Sequence, residues 1–399
     1  MNLFLIGGIA IVAGTIGAKL SRRLRIPQVV GYIIIGVLLG SSFLNVVSLD
    51  MVESLQNLSS LALAFIGFTI GGELAFSNLK ELGPSIIAIA VFEALAAFVL
   101  VLGIVFLITQ NLPLALIFGA LASATAPAAT VDVLWEYKAK GPLTTTLFAV
   151  VGIDDSIALI IFGFASAIAK ALLTHAELTA GSLLIAPALE IIGSALVGIA
   201  LGLILSQLLK LIKSDTDYLL FTLGAILLGS AAAQELNLSL ILTNMIMGLT
   251  VINVSRRRDA FSAISRLSPP LYLFFFLLVG AMLQIGLLAE LGLLGLAYIT
   301  FRTVGKSAGA WLGAKATQAP EVVRKYLGLG LLSQAGVAIG LAIETSNTFS
   351  GLGPAGAELA LLTVNVIAGT TFFYQMIGPS LTKVAITKAG EVGRAKSAR

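Results

Sequence analysis

The chain has 399 residues, of which 58% are hydrophobic and 11% are charged, and its formal net charge is +4. Soluble domains carry about 25% charged residues, so this composition cannot cover the surface of a soluble protein of this size. It excludes a cytosolic enzyme, a secreted domain, a disordered protein and a nucleic-acid-binding protein. The chain contains no cysteine, which excludes disulfides and thiolate metal sites. The mean hydropathy of +1.04 indicates an integral membrane protein.

Thirteen stretches are candidate membrane spans, each of which needs about 20 mostly apolar residues. In chain order, spans one to thirteen cover residues 3–20, 28–44, 57–73, 84–108, 112–135, 143–170, 182–209, 217–233, 238–254, 268–288, 290–315, 323–345 and 357–382. No connection between them is long enough to be a soluble domain. The sequence therefore predicts an all-α polytopic membrane protein with about 13 transmembrane helices.

The basic residues are distributed very unequally between alternate loops. With the N-terminus outside, 21 of the 24 basic residues lie in the loops and the tail that face the cytoplasm, and Lys170 alone lies outside. Loops rich in lysine and arginine stay in the cytoplasm. The pattern predicts an outside N-terminus and a cytoplasmic C-terminus, and a span missed in mid-chain would destroy it.

Five ionisable residues lie deep in the predicted spans, where a charge costs at least about 2.5–3.5 kcal/mol and indicates a functional site. They are Glu93 in span four, Asp154 and Asp155 in span six, and Arg302 and Lys306 in span eleven. Asp154 lies about 17 Å from the start of its span, near the bilayer centre. Arg302 and Lys306 are four residues apart and therefore share one helix face.

These five residues sum to one uncompensated negative charge. A buried carboxylate without a partner cannot stay ionised, so it must take up a proton or bind a cation. A group that does either near the bilayer centre meets the minimum requirement for cation–proton exchange. Glu93 and Arg302 either form a purely structural ion pair or take part in transport, and the sequence leaves both open.

The remaining ionisable residues within the spans have simpler interpretations. Glu73, Asp132 and Glu190 are expected at helix ends or on a cavity wall, where charged side chains reach water. His175 is expected in an outer loop as a solvated histidine.

Spans five and twelve each contain a segment that predicts a discontinuous helix. In span five, Pro127 lacks an amide hydrogen and clashes with the preceding turn. Backbone groups freed in this way must be satisfied by protein, water or an ion, and many transporters use them to bind substrate. The residues assigned to the breaks are Ser123, Thr125, Ala126 and Pro127 in span five, and Ser333, Gln334 and Gly336 in span twelve.

The two predicted breaks are seven spans apart. Because seven is odd, a six-helix repeat that follows a one-helix linker reappears upside down. The spacing therefore predicts two inverted six-helix repeats with crossed discontinuous helices, and span seven is the linker.

Segments along nearly the whole chain resemble the monovalent cation:proton antiporter superfamily. They are IPQVVGYIIIGVLLG (26–40), FIGFTIGGEL (65–74), FLLVG (276–280), RTVGK (302–306) and GLLSQAG (330–336). The most specific match is Asp154-Asp155, which is similar to the paired aspartates of the electrogenic sodium/proton antiporter branch. Many relatives have Thr-Asp-Pro in the first broken helix, whereas this chain has Thr125-Ala126-Pro127. That departure leaves the ligand set and the preferred ion open.

The resemblance implies a core domain that moves like an elevator against a dimerisation domain, in a homodimer. The expected divisions are 1–76 and 217–288 for the dimerisation domain, 84–170 and 290–385 for the core, 182–209 for the linker helix and 386–399 for a basic cytoplasmic tail.

By the same resemblance, Asp155 is the principal carrier of ion and proton, with Asp154 and Thr125 in the same Na+/H+ site. Asp154 pairs with Lys306 until the cation displaces the lysine and its proton leaves, which implies two protons per cation. Lys306, Arg302 and Glu93 balance charge. No cofactor is implied, because the transported Na+ (or Li+ or K+) and H+ are substrates, and the protein is not an enzyme.

The expected function is Na+/H+ exchange, with Li+ also carried, in the plasma (inner) membrane of a prokaryote. K+/H+ or electroneutral Na+/H+ exchange would keep the mechanism and change the ion or the stoichiometry. A sodium-coupled symporter of organic anions would use similar broken helices, but it gives Lys306 no evident role.

Overall fold

A computed structural model of the protein describes residues 3–23, 28–40, 42–48, 51–52, 55–174, 180–212, 214–255, 257–283 and 292–394. Within these ranges the chain forms helices, turns and short links, and no strand occurs. The helices are α1 (Leu3–Arg23), α2 (Gln28–Leu39), α3 (Gln56–Glu73), α4 (Phe76–Thr109), α5 (Leu112–Ser123), α6 (Pro127–Glu136), α7 (Pro142–Leu173), α8 (Ala180–Leu211), α9 (Asp215–Glu235), α10 (Leu240–Val254), α11 (Asp259–Met282), α12 (Gly292–Ala316), α13 (Glu321–Gly330), α14 (Gly336–Phe349) and α15 (Gly353–Lys388). The predicted all-α class is confirmed.

Every predicted span overlaps at least one of these helices. Span five overlaps α5 and α6, and span twelve overlaps α13 and α14. Among the described residues, 7 helices are long and apolar enough to cross a membrane by length and composition, and shorter apolar helices accompany them. The number of membrane crossings stays a prediction.

Several helix ends differ from the predicted span ends. α11 begins at Asp259, before residue 268, and α15 extends to Lys388, beyond residue 382. Apolar composition marks only the part of a helix that lipid surrounds, whereas backbone hydrogen bonds continue the helix into polar sequence. α2 ends at Leu39, before residue 44, and the chain then turns, with Asn45 at a φ of 48°.

Contacts between Cα atoms divide the chain into two units. Unit 1 comprises Met1–Leu20, Gly31–Asn78 and Gly163–Leu283, and unit 2 comprises Ser21–Val30, Leu79–Phe162 and Gln284–Arg399. Within unit 1, close helix contacts depend on small residues. A Cβ added at Gly71 of α3 would lie 1.9 Å from the carbonyl oxygen of Met245 on α10. These two helices therefore pack backbone against backbone.

Unit 2 buries an apolar core between α4, α6, α7, α12, α13 and α15. Its fully buried members include Ile89, Leu147, Val150, Leu327 and Ile386. Each of these helices thus contributes an apolar face to one cluster, and the polar groups described below lie on the same helices.

A row of glycines sets the contact between α4 and α12. Gly305, Gly309 and Gly313 are four residues apart and therefore line one face of α12. A Cβ added at Gly309 would lie 2.5 Å from the Cα of Glu93. Such small-residue interfaces let membrane helices approach closely. Because Lys306 is adjacent to this row, the close approach brings it within reach of the glutamate.

We expect the substitution Gly309→Ala to lower thermal stability, because the added methyl group must push α4 away at a cost of about 1–3 kcal/mol. The measurement is the midpoint of thermal unfolding in detergent. Gly103→Ala on α4 is the matched control, because nothing lies within 4 Å of a Cβ added there. Equal midpoints for the two variants would contradict backbone contact between α4 and α12.

Candidate functional site

Two extended segments interrupt helices of unit 2 and bond to each other. One lies between α5 and α6, and the other lies between α13 and α14. The amide of Ala126 donates a hydrogen bond to the carbonyl oxygen of Ser333 at 2.9 Å. Thr125 Oγ1 donates to the carbonyl oxygen of Leu331 at 3.3 Å. The chain can leave α5 here because Pro127, the first residue of α6, has no amide hydrogen with which to continue it.

The residues that the sequence assigned to the breaks lie at these interruptions. Ser123 ends α5 and Pro127 begins α6, whereas Ser333 and Gln334 lie in the second extended segment, and Gly336 begins α14. Ala126 has φ −88° and ψ 105°, which is extended backbone.

Arg302 on α12 donates hydrogen bonds to carbonyl oxygens of both breaks. At the first break, Nε donates to Ala122 at 3.2 Å and Nη2 donates to Ala124 at 2.7 Å. At the second break, Nη1 donates to Leu332 at 2.8 Å and Nη2 donates to Ser333 at 3.4 Å. Carbonyl groups at the C-terminal end of a helix are unpaired and carry partial negative charge. One buried cation therefore binds the end of α5 and the extended segment that follows α13.

Among the described residues, Arg302 bonds to these carbonyl groups, and Glu93 forms its ion pair with Lys306. The ion pair between Glu93 and Arg302 that the sequence suggested is therefore not the arrangement that the structure shows. The physical reason is that a planar guanidinium with five donors can serve several fixed acceptors at once, which an ammonium cannot do as well. The ring of Tyr374 covers the guanidinium, with Cζ 4.3 Å from the ring centroid.

Lys306 joins three helices through its ammonium group. Its Nζ lies 2.7 Å from Glu93 Oε2 on α4 and 3.0 Å from Asp154 Oδ2 on α7. It also donates a hydrogen bond to the carbonyl oxygen of Ser123 at the end of α5. All three charged side chains are fully buried. One ammonium group cannot neutralise two ionised carboxylates, so burial favours a proton or a cation on one of them.

Asp155 follows Asp154 on α7 and occupies a different face of the helix. Consecutive residues are about 100° apart around a helix axis, so the two aspartates cannot both face Lys306. Asp154 is 0% exposed and Asp155 is 6% exposed. Asp155 therefore has a small accessible surface, whereas Asp154, which contacts Lys306, has none.

A second set of hydrogen bonds joins the breaks to α12 and α15. Gln334 Nε2 donates to the carbonyl oxygen of Leu121 at 3.0 Å and to the hydroxyl group of Tyr298 at 2.7 Å. Gln375 Nε2 donates to the main-chain carbonyl oxygen of Gln334 at 2.7 Å. Tyr298, Tyr374 and Gln375 were not among the residues predicted from the sequence. A search for amide side chains in mid-span would have found Gln375, whereas the tyrosines carry no distinguishing signal.

The sequence also named Glu190, His175, Glu73 and Asp132. Glu190 lies on α8, in unit 1, and is partly buried. His175 and the side chains of Glu73 and Asp132 lie outside the described residues.

Buried charges beside two interrupted helices, in a chain of apolar helices, define an integral membrane protein of the secondary-transporter class. The model of one family, the transmembrane sodium/hydrogen exchangers, matches residues 8–384, and the chain belongs to this family. The resemblance to the monovalent cation:proton antiporter superfamily is thereby confirmed.

Two relatives illustrate the similarity in sequence. The chain is 30% identical to "Probable Na(+)/H(+) antiporter 2" of Methanocaldococcus jannaschii over 241 residues, which cover 56% of this chain and 53% of that protein. It is 23% identical to the Na(+)/H(+) antiporter of Enterococcus hirae over 333 residues, which cover 82% of this chain and 86% of that protein. The match thus spans about half the length of the first relative.

The fold resembles that of a solved protein. The structure of a sodium proton antiporter from Methanocaldococcus jannaschii at pH 8 aligns with a TM-score of 0.78, covering 98% of this chain and 99% of that one. The sequences are 20% identical, so this likeness establishes the fold alone.

We expect Arg302→Met to destabilise the protein by at least about 3 kcal/mol, because methionine leaves buried carbonyl groups of both breaks without donors. The measurement is thermal unfolding in detergent, followed by tryptophan fluorescence. Arg258→Met is the matched control, because Arg258 is exposed at the start of α11. If both variants unfold at the wild-type midpoint, Arg302 does not hold the breaks together.

Proposed function

We propose that this protein exchanges a monovalent cation, Na+ and also Li+, for protons across a membrane. The observation that carries the proposal is the Lys306 ammonium group held between Glu93 and Asp154, beside Asp155. Arg302 is engaged by the carbonyl groups of the breaks. Glu93 and Asp154 therefore share one ammonium group, and a proton or a cation can neutralise the charge that remains.

Competition for one carboxylate couples the transport of the cation to the transport of protons. A cation bound at Asp155 excludes a proton from the same oxygen atoms, and the reverse is equally true. Leaving the carboxylate ionised and empty is unfavourable in a buried, low-dielectric site, so the protein changes conformation with one ligand or the other bound. This alternation is the requirement for exchange, and it argues against a continuously open channel.

We assign Asp155 as the principal ligand of both ion and proton, with Asp154 and Thr125 as further ligands of the cation. Thr125 uses its hydroxyl hydrogen on Leu331, which leaves oxygen lone pairs available to a cation. Ala126 contributes no carboxylate, in contrast to the aspartate of many relatives. The cation is a substrate of the exchange.

We propose that the exchange is electrogenic, with two protons per cation. Asp154 lies 3.0 Å from the Lys306 ammonium group, so a cation that binds Asp154 competes with the lysine. The proton from Asp155 and a second proton, held by Lys306 together with Glu93, then leave as the cation enters. One net charge moves in each cycle.

We further propose an elevator mechanism in a homodimer, with the site in the moving core. The support is that every assigned site residue belongs to unit 2. The dimerisation domain would then be formed by helices of unit 1. The positive-inside pattern and the prokaryotic relatives support a plasma-membrane location with the N-terminus outside and the C-terminus in the cytoplasm.

We expect Asp155→Asn to abolish sodium-driven proton flux in proteoliposomes, because asparagine has nearly the same shape but cannot be ionised. Collapse of an imposed pH gradient is followed with a pH-sensitive dye after addition of Na+, Li+ or K+. Asp215→Asn is the matched control, since its side chain is 75% exposed on α9. Normal exchange by Asp155→Asn would refute the site, and a response to K+ alone would favour K+/H+ exchange.

We expect a membrane potential to drive sodium movement without a pH gradient. A net charge of one moved through 100 mV corresponds to about 2.3 kcal/mol, or a sodium gradient of about 50-fold at equilibrium. The potential is imposed with valinomycin and potassium, and internal 22Na+ is measured at equal internal and external pH. Vesicles clamped at zero potential are the control. Exchange that ignores the potential would show an electroneutral stoichiometry.

A further inference from the structure

The first turn of α7 is capped by a carboxylate from far along the chain. Glu391 accepts hydrogen bonds from the amide of Leu143 at 2.8 Å and from the amide and the hydroxyl group of Thr144, both at 2.7 Å. Glu391 lies just beyond the end of α15 and is only 1% exposed. The segment expected to be a basic tail thus contains a buried acidic residue that bonds to a helix of the site.

The sequence before α7 cannot supply this cap itself. Helix N-termini leave amide groups unpaired, and a Ser, Thr, Asp or Asn side chain usually accepts from them. Here the preceding residue is Gly141, and Pro142 begins the helix. A Cβ added at Gly141 would lie 2.3 Å from Glu391 Cδ, so the glycine makes room for the distant carboxylate.

Further contacts hold the segment after α15 in the same place. The amide of Lys140 donates to the carbonyl oxygen of Glu391, and the amide of Gly393 donates to that of Tyr137, both at 3.0 Å. The Lys383 ammonium group lies 4.8 Å from the centroid of the Tyr137 ring. These contacts join the end of α15 to the connection between α6 and α7.

The helices that meet here carry the site in their middle parts. α6 begins at the first break, and Gln375 of α15 bonds to the second break. α7 carries Asp154 and Asp155, about 16 Å along the helix from the capped turn. Because α7 is continuous over this distance, a shift at its start moves the aspartates by a similar amount.

We propose that Glu391 is a positioning residue for cation binding. Its carboxylate sets the position of α7 along the helix axis, and thereby the distance between Asp154 and Lys306 and the place of Asp155 in the site. This inference rests on the proposed function of that site. A displacement of about 1 Å at a reacting group costs up to about 100-fold, so a partial loss of the cap has a measurable effect.

The test compares full-length wild type, Glu391→Gln and Thr144→Val in proteoliposomes. Glutamine keeps the size of the side chain, but it weakens the acceptor and can direct an NH2 group at the amide donors. Valine removes one of the three hydrogen bonds. The matched control is Glu358→Gln, an exposed glutamate on α15. The KM for Na+ and the maximal rate come from proton flux, and hydrogen–deuterium exchange is followed in a peptide covering residues 142–146.

We expect Glu391→Gln to raise the KM for Na+ about tenfold, with little change in maximal rate, and Thr144→Val to raise it less. Amide exchange at the start of α7 should be faster in both variants. Faster amide exchange with an unchanged KM would overturn the proposal, because the cap would then be purely structural. An unchanged KM together with unchanged amide exchange, or an equal rise in KM for Glu358→Gln, would overturn it as well.

Proton flux by the wild-type protein distinguishes a failure of this inference from a failure of the proposed function. Wild type without sodium-driven proton flux would overturn both. Wild-type exchange with an unaltered KM in Glu391→Gln would overturn the role of Glu391 alone.

Discussion

Unit 2 depends on one constraint, which is that buried carbonyl groups and buried charges must find partners without water. Two interrupted helices leave carbonyl groups unpaired at the end of α5 and in the extended segment after α13, and Arg302 donates to both places. The guanidinium also joins the two extended segments, which bond to each other through Ala126 and Ser333. Arg302 is a buried charge of the kind expected in an ion pathway. Here its hydrogen bonds to carbonyl groups stabilise the two interrupted helices next to each other.

The same constraint explains why Lys306, one turn from Arg302, is left with an excess of acid. The glycine row of α12 brings the helix against α4, and the ammonium group then contacts both Glu93 and Asp154. Neither carboxylate can find another cation nearby, because Arg302 is already occupied by carbonyl groups. The structural role of the arginine and the proposed chemistry of the carboxylates are therefore linked: a cation committed to the backbone leaves negative charge for a transported ion or a proton to neutralise.

Much of this could be predicted from sequence because the signals are local. Each apolar stretch of the sequence overlaps a helix of the structure. Pro127 and the segment at Ser333 predicted where two of these stretches are interrupted. The mid-span charges were equally visible, since a charged residue stands out in an apolar stretch of sequence. The resemblance implied that Asp154 pairs with Lys306. The pairing of Glu93 with Lys306 was not predicted, because these residues lie on helices α4 and α12, far apart in the chain. Glu391 was hidden for the same reason, since its partners Leu143 and Thr144 lie more than two hundred residues earlier.

The amino-acid sequence by itself determined that this is a helical membrane protein, where its helices fall, and which residues carry charge where charge is costly. Those properties follow from composition over one or two helical turns and from the energy of transfer into lipid. The tertiary structure alone decided that Arg302 binds the carbonyl groups of the breaks and that Glu93 also contacts Lys306. It also decided that the end of the chain caps α7. These contacts depend on the distances between helices. Those distances are set by how glycines and side chains pack, and no local sequence pattern contains them.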